Sequence, residues 1–194
     1  MEILPTLYNN VFSRYNVIIL VVSILATLGT VIVLGGGVWD SISHALRIPD
    51  GFWTIQHTVI YTGASIIALS AILGTLLSIK NKKLDKRILL VLIGAVLQLG
   101  GGYADYNFHE VYGIDGLVTP SHLTVESGLF MSAMGGLLLI SNVKHDKLKL
   151  IIPISILTTL LAASWIGFNL VLLIGGTELC IPIYELFSSG CAVM

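Results

Sequence analysis

The sequence predicts an all-α integral membrane protein with about five transmembrane helices, and three observations support this. Hydrophobic residues make up 55% of the 194 residues and charged residues only 11%, whereas a typical soluble domain carries about 25% charged residues. Five segments are long and apolar enough to cross a bilayer, which takes about 20 residues. The chain also matches itself when its first half is laid over its second. The composition therefore excludes a disordered chain and argues strongly against a water-soluble globule, and the net charge of −1 leaves no basic surface for nucleic acid.

The five predicted spans are the windows of high hydropathy. They cover residues 16–38, 57–79, 88–108, 121–142 and 149–174. Apolar residues lie on all sides of these helices and not along one stripe, as expected for helices that face lipid. The connections are short, so we predict a single transmembrane domain over residues 1–194. We expect no cleaved signal peptide, because the first apolar run is about twice as long as the apolar region of such a peptide.

Lysine and arginine residues predict the orientation in the cell membrane. Eight of the ten lie in two connections, residues 80–87 and 144–149, and Arg14 precedes the first span. Only Arg47 lies on the opposite side. Because positively charged loops stay in the cytoplasm, this asymmetry predicts a cytoplasmic N-terminus for a multi-pass protein.

The remaining connections and the C-terminal tail are then extracytoplasmic. The fifth helix and this tail occupy residues 149–194. An extracytoplasmic tail places Cys180 and Cys191 in an oxidising compartment, which permits a disulfide between them. Two free, buried thiols are the alternative.

An internal duplication relates residues 34–63 to residues 99–128, with 11 of 30 aligned positions identical. Shared apolarity can align leucine or glycine by chance, but it does not place aspartates and histidines in register. We therefore predict two parallel repeats, residues 16–80 and 88–145, each a helix, an extracytoplasmic loop and a helix. The identical pairs are Leu34/Leu99, Gly35/Gly100, Gly36/Gly101, Gly37/Gly102, Asp40/Asp105, His44/His109, Asp50/Asp115, Gly51/Gly116, Thr54/Thr119, His57/His122 and Gly63/Gly128.

Four of the five histidines belong to the duplicated motif, Asp-x3-His-x12-His. The motif residues are Asp40, His44 and His57 in the first copy and Asp105, His109 and His122 in the second. Residues four apart on a helix share a face, so the aspartate and the first histidine project together from the extracytoplasmic end of their helix. The loop folds back, which allows the second histidine to join them.

One carboxylate and two imidazoles form a ligand set that suits copper, zinc or non-haem iron and leaves coordination positions open. Ionisable groups inside a membrane cost roughly 2.5–3.5 kcal/mol each on insertion scales, so they are rarely without a role. We therefore predict metal binding at the extracytoplasmic side of each repeat. The alternative is a structural, hydrogen-bonded pair of aspartate and histidine.

Further polar residues are predicted to support these sites. Asp50, Asp115 and Glu126 would orient the imidazoles without binding the metal themselves. The alternatives are turn residues before glycine for the two aspartates. For Glu126 they are a ligand, a proton carrier, a partner to the opposite repeat or a protonated, hydrogen-bonded core residue. Each motif also follows a glycine triplet, 35–37 or 100–102. We expect the triplets to let the first and third helices pack closely, which would bring the two motifs together.

The second copy, DYNFHEVYGIDGLVTPSH, resembles the C subunit of the particulate methane and ammonia monooxygenases. The shared features are the Asp-x3-His-x12-His spacing, an aspartate six residues and a threonine ten residues after the first histidine, and the Thr-Pro-Ser-His sequence. In that family the motif is similar to a copper site, which implies copper binding by Asp105, His109 and His122. The family also has a second His-bearing element, which implies that the first copy is its counterpart.

Several functions are compatible with these residues. The resemblance implies a copper-binding subunit of a membrane monooxygenase complex, which would contact lipid and other subunits of the complex. It leaves open whether the chain itself is catalytic and what the substrate is. The alternatives are a non-catalytic accessory subunit of a respiratory or other membrane complex, a b-type cytochrome with histidine haem ligands, and a zinc hydrolase that uses Glu110 or Glu126 for acid–base chemistry.

Overall fold

The described part of the chain consists of five α-helices. The computed structural model describes residues 3–46, 48, 51–80, 85–112, 118–142 and 151–178. Side chains are described within these ranges except at residues 3–16, 44, 45, 109, 112 and 175–178. The helices are α1 (Ile3–Ala45), α2 (Ile55–Lys80), α3 (Lys86–Tyr112), α4 (Pro120–Ile140) and α5 (Ile151–Glu178).

All five helices contain a segment long and apolar enough to cross a membrane. These segments are Val17–Ser43, Ile55–Lys80, Lys86–Phe108, Pro120–Ile140 and Ile151–Ile174. Each helix also exposes large apolar side chains, among them Val31, Leu69, Val96, Leu138 and Leu157. A surface of this kind suits lipid. The predicted all-α fold with five spans is confirmed, and the cytoplasmic position of the N-terminus stays a prediction.

The first and third helices continue beyond their apolar segments. The first predicted span ends at residue 38, whereas α1 continues through Ala45, and α3 likewise continues to Tyr112. Hydropathy reports a preference for lipid, whereas a helix ends where its backbone hydrogen bonds can no longer form. Residues 38–45 contain no glycine or proline that would end the helix. Both motif aspartates, Asp40 and Asp105, therefore lie inside helices, close to their C-terminal ends.

Two helix hairpins, α1–α2 and α3–α4, make the most extensive helix contacts. Because α1 also packs on α4 and α2 on α3, the four helices close into a bundle, and α5 lies against α4 and α1. The bundle centre contains one fully buried side chain from each of the four helices: Val22, Ile67, Val91 and Leu139. Inside lipid, contacts of this kind stabilise the bundle through close packing.

Glycines that lie 65 residues apart in the sequence bring the helix backbones of each hairpin into contact. A Cβ at Gly29 of α1 would lie 2.8 Å from the carbonyl oxygen of Gly63 in α2. A Cβ at Gly94 of α3 would lie 2.5 Å from the carbonyl oxygen of Gly128 in α4. Glycine allows this approach because any side chain at these positions would overlap with the neighbouring backbone.

The glycine triplets hold each hairpin together and do not join α1 to α3. A Cβ at Gly36 would lie 3.2 Å from the carbonyl oxygen of Gln56 in α2, and a Cβ at Gly101 would lie 3.1 Å from that of Ser121 in α4. The expectation that the triplets pack the first helix on the third is therefore wrong. The main neighbours of α1 are α2, α4 and α5, and those of α3 are α4 and α2. Only the middle residue of each triplet faces the other helix of its hairpin, because consecutive helical residues point in different directions.

We predict that Gly94→Ala lowers the free energy of unfolding by about 1–3 kcal/mol, the usual cost of overpacking a close contact. The new Cβ would lie 2.3 Å from Ser132 Oγ and 2.5 Å from a backbone oxygen. Gly100→Ala is the matched control, since a Cβ there meets nothing within 4 Å and both changes gain the same helix propensity. Reversible unfolding in detergent micelles, followed by circular dichroism, measures the difference. Equal stability of the two variants would contradict the packing.

Candidate metal centre

Each copy of the motif forms an aspartate–histidine pair between the two helices of its hairpin. Asp40 Oδ1 on α1 lies 3.2 Å from His57 Nε2 on α2. Asp105 Oδ1 on α3 lies 3.2 Å from His122 Nε2 on α4. The four side chains are between 11% and 16% exposed, so water screens the two pairs only weakly. Equivalent atoms therefore meet at the same distance in both hairpins.

A hydrogen bond on the other side of the His57 ring fixes its tautomer. His57 Nδ1 lies 3.0 Å from the carbonyl oxygen of Gly51, which can only accept, so Nδ1 carries the proton and donates. A neutral ring then directs the lone pair of Nε2 at the carboxylate of Asp40, and the two electron pairs repel each other. Either a second proton on the ring or a metal ion between the atoms removes this repulsion. Donation from Nδ1 to a backbone carbonyl is also the usual arrangement of a metal-binding histidine.

The start of α4 positions the second pair. Thr119 has an extended backbone (φ −114°, ψ 160°), and its hydroxyl accepts a hydrogen bond from the His122 amide at 3.2 Å, as an N-cap residue does. Pro120 follows in the first turn, where a missing amide hydrogen breaks no helical hydrogen bond. Ser121 Oγ donates to Asp105 Oδ1 at 2.7 Å and lies 2.8 Å from Thr119 Oγ1. Ser121 was not predicted as a site residue, although the Thr-Pro-Ser-His sequence already indicated a capped helix start beside a motif histidine.

Two of the six predicted ligands are described by their backbone alone. Positions 44 and 109 lie one helical turn after the two motif aspartates, in α1 and α3. Among the side chains that the structure describes, no group of three or more His, Cys, Asp and Glu residues is placed to hold a metal ion. The other predicted site residues outside the described ranges are Asp50, Asp115, Cys180 and Cys191.

Glu126 lies on α4, one turn after His122, and is 8% exposed. Its Oε1 accepts hydrogen bonds from two residues of α5, Trp165 Nε1 at 2.9 Å and Asn169 Nδ2. Its Oε2 is buried and has no hydrogen-bond partner among the described residues. The hydrogen bonds of Glu126 therefore go to α5, and its predicted role in orienting an imidazole stays a prediction. Trp165 was not predicted as a partner, and the available signal was a Trp and an Asn four residues apart in an apolar helix.

A cavity of about 480 Å³ lies between α1, α4 and α5. Asp40 of the first pair and His122 of the second both line it. Glu126, Trp165 and Asn169 complete its polar wall, and most of the remaining wall is apolar. The two motifs therefore share one cavity, which lies at the contact of α1 with α4.

No family model, curated protein or solved structure matches the chain. The resemblance to the monooxygenase subunit is therefore carried by the motif alone. Any proposal for the function rests on the donor atoms, distances and burial of the two pairs.

We predict that Thr119→Ala lowers the free energy of unfolding by about 0.5–2 kcal/mol, the usual cost of removing an N-cap. The substitution removes the acceptor of the His122 amide and the hydroxyl that contacts Ser121. Thr124→Ala is the control, because the Thr124 hydroxyl donates to the Pro120 carbonyl within the same helix. Thermal unfolding of both variants in the same detergent measures the difference. If Thr119→Ala is no less stable than the control, the cap does not stabilise α4.

Proposed function

We propose that the chain is a copper-binding subunit of a monooxygenase-like membrane complex, with one copper site in each helix hairpin. The observation that supports this proposal is a carboxylate oxygen 3.2 Å from an imidazole nitrogen in both hairpins. In the first hairpin the other nitrogen of the ring already donates to a carbonyl. The two facing atoms are therefore both electron-pair donors, which is what a metal cation requires.

The distance between the donors suits a shared metal ion. Carboxylate oxygen and imidazole nitrogen bind first-row metal ions at about 2.0–2.2 Å. At angles between 90° and tetrahedral, two such donors lie about 3–3.5 Å apart. The observed 3.2 Å lies within this range, so an ion can bind between each pair without a movement of the helices.

His44 and His109 would complete the two sites. Each follows its aspartate by four residues in a helix, a spacing that places both residues on one face. Three protein ligands leave a coordination position open, and bound copper would supply a redox-active centre with room for oxygen.

The two sites are proposed to be copies made by an internal duplication. The close contact of Gly29 with Gly63 recurs between Gly94 and Gly128, the equivalent residues of the second repeat. The asymmetry of lysine and arginine residues favours an extracytoplasmic position for both sites. The exposed apolar surface of the helices would then contact lipid and the partner subunits of the complex.

Two other interpretations use the same residues. A haem would need imidazole nitrogens directed at an iron, whereas Nε2 of His57 and Nε2 of His122 both face aspartates. A structural pair would need a second proton on the His57 ring in place of the metal ion. That places two buried charges of opposite sign in the first hairpin, so their mutual attraction must offset the desolvation of both. Metal analysis separates these interpretations.

We predict that the purified protein binds about two equivalents of copper, and that His57→Ala or His122→Ala binds about one, because each change removes a ligand from one site. His145→Ala is the control, because His145 lies outside the motif, and it should keep both ions. Elemental analysis by mass spectrometry measures the metal, and circular dichroism checks that the helices are retained. Copper below about 0.1 equivalent in the wild-type protein, unchanged by His122→Ala, would exclude the proposal.

A further inference from the structure

The bundle has two clefts that occupy equivalent positions but differ in content. Because α1 corresponds to α3 and α2 to α4, the α1–α4 cleft corresponds to the α2–α3 cleft. Aromatic rings fill the α2–α3 cleft: Phe52 packs on Tyr61 of α2 and on Tyr106 of α3, with ring centres 5.0 Å and 4.5 Å apart. The α1–α4 cleft instead contains the cavity of about 480 Å³.

Two sequence differences account for the open cleft. The position equivalent to Tyr106 is Ser41, and the position equivalent to Tyr61 is Glu126. Both residues line the cavity. A small residue and an acidic residue thus replace two large rings, and α5, which lies outside the duplicated part of the sequence, covers the space that remains.

Glu126 gives this cavity a defined polar end. Its side chain is 8% exposed, and Oε1 is saturated by donors from Trp165 and Asn169. Oε2 is buried without a hydrogen-bond partner among the described residues. A buried acceptor left in this state is destabilising, because nothing compensates the loss of its hydration. A ligand that donates a hydrogen bond to Oε2 would recover this free energy.

The rest of the wall favours a lipophilic ligand without negative charge. The lining residues include the carboxylates of Asp40 and Glu126 and no lysine or arginine. Most of the others are apolar, the cavity is partly open, and two of its lining residues on α5, Leu161 and Phe168, are about half exposed. The cavity can therefore be reached from lipid. Its volume lies within the range of about 300–1,000 Å³ that is typical of small-molecule pockets.

We propose that this cavity binds a lipophilic amine or alcohol, whose head group donates a hydrogen bond to Glu126 Oε2 and whose apolar body lies between α1, α4 and α5. A carboxylic acid would bring a negative charge towards two carboxylates, and an alkane would leave Oε2 without a partner. The residues that hold Glu126 are not among the proposed copper ligands. Asp40 and His122 of the wall are proposed copper ligands, so binding is expected in the copper-free protein, which takes the inference beyond the proposed function.

The fluorescence of Trp165 reports ligand binding, because its indole lies in the cavity wall and donates a hydrogen bond to Glu126. The chain has three tryptophans, so Trp39→Phe combined with Trp53→Phe leaves Trp165 as the only fluorophore of its type. The full-length protein in micelles, treated with a chelator, is titrated with decylamine, decanol, decanoate and decane. We expect saturable changes in Trp165 fluorescence with decylamine and decanol. Their affinities should be at least about tenfold higher than those of decanoate and decane. We expect no competition from phosphatidylethanolamine, because a two-chain lipid is larger than the cavity, and competition would overturn the choice of a free molecule.

Variants that fill the cavity test its location. A Cβ at Gly37 would lie 3.9 Å from the Trp165 ring, so Gly37→Leu enters the cavity, whereas a Cβ at the equivalent Gly102 meets no atom of the described residues within 4 Å. We expect Gly37→Leu and Ser41→Tyr to abolish binding and Gly102→Leu to retain it. We expect Glu126→Gln to weaken decylamine binding about tenfold.

Binding that survives both cavity-filling variants, or decylamine affinity unchanged in Glu126→Gln, would overturn the proposal. Copper content is measured on the same samples and should be unchanged in Gly37→Leu, since Gly37 is not a proposed ligand. Failure of the ligand site and failure of the copper sites therefore give different results.

Discussion

The aspartate–histidine contact of 3.2 Å is the interaction on which each hairpin depends, and between Asp40 and His57 it brings together two electron-pair donors that require a positive charge between them. In the first hairpin the Gly51 carbonyl fixes the proton on His57 Nδ1, so the lone pair of Nε2 is directed at Asp40. The second hairpin repeats the distance between Asp105 and His122. A surface pair could meet this requirement with water, but these side chains are largely buried. The cation must therefore be a proton or a metal ion held by the protein itself.

The glycine contacts explain how the chain maintains this distance. Gly36 lies one helical turn before Asp40 and packs on the backbone of Gln56, the residue before His57. Gly101 packs in the same way on Ser121, the residue before His122. Because the two backbones touch one turn away from the pair, the separation of the side chains is set by helix geometry and not by flexible loops. This is why α1 must remain helical past residue 38, where its predicted span ends, since Asp40 lies beyond that point.

The spans and the pairing of each aspartate with the second histidine of its motif could be predicted, because both depend on composition and spacing within one hairpin. The end of α1 could not be predicted from hydropathy, since polar residues such as Asp40 extend a helix as well as apolar ones when no glycine or proline intervenes. The partners of Glu126 depend on where α5 packs, and α5 has no counterpart in the duplicated sequence. The packing of each glycine triplet within its own hairpin could not be predicted either, because small residues indicate a close contact between helices without identifying the neighbouring helix.

Residues that the two hairpins share and residues in which they differ have separate roles in this structure. The aspartates and histidines that are identical in segments 34–63 and 99–128 form the two pairs, and each pair lies within one hairpin. Residues that differ between the repeats, such as Ser41 against Tyr106 and Glu126 against Tyr61, decide which cleft is open. The open cleft is the one that α5 covers, and the donors from α5 then hold Glu126 at its polar end. The two aspartate–histidine pairs thus depend on residues that the two hairpins share, whereas the cavity depends on residues in which they differ and on α5.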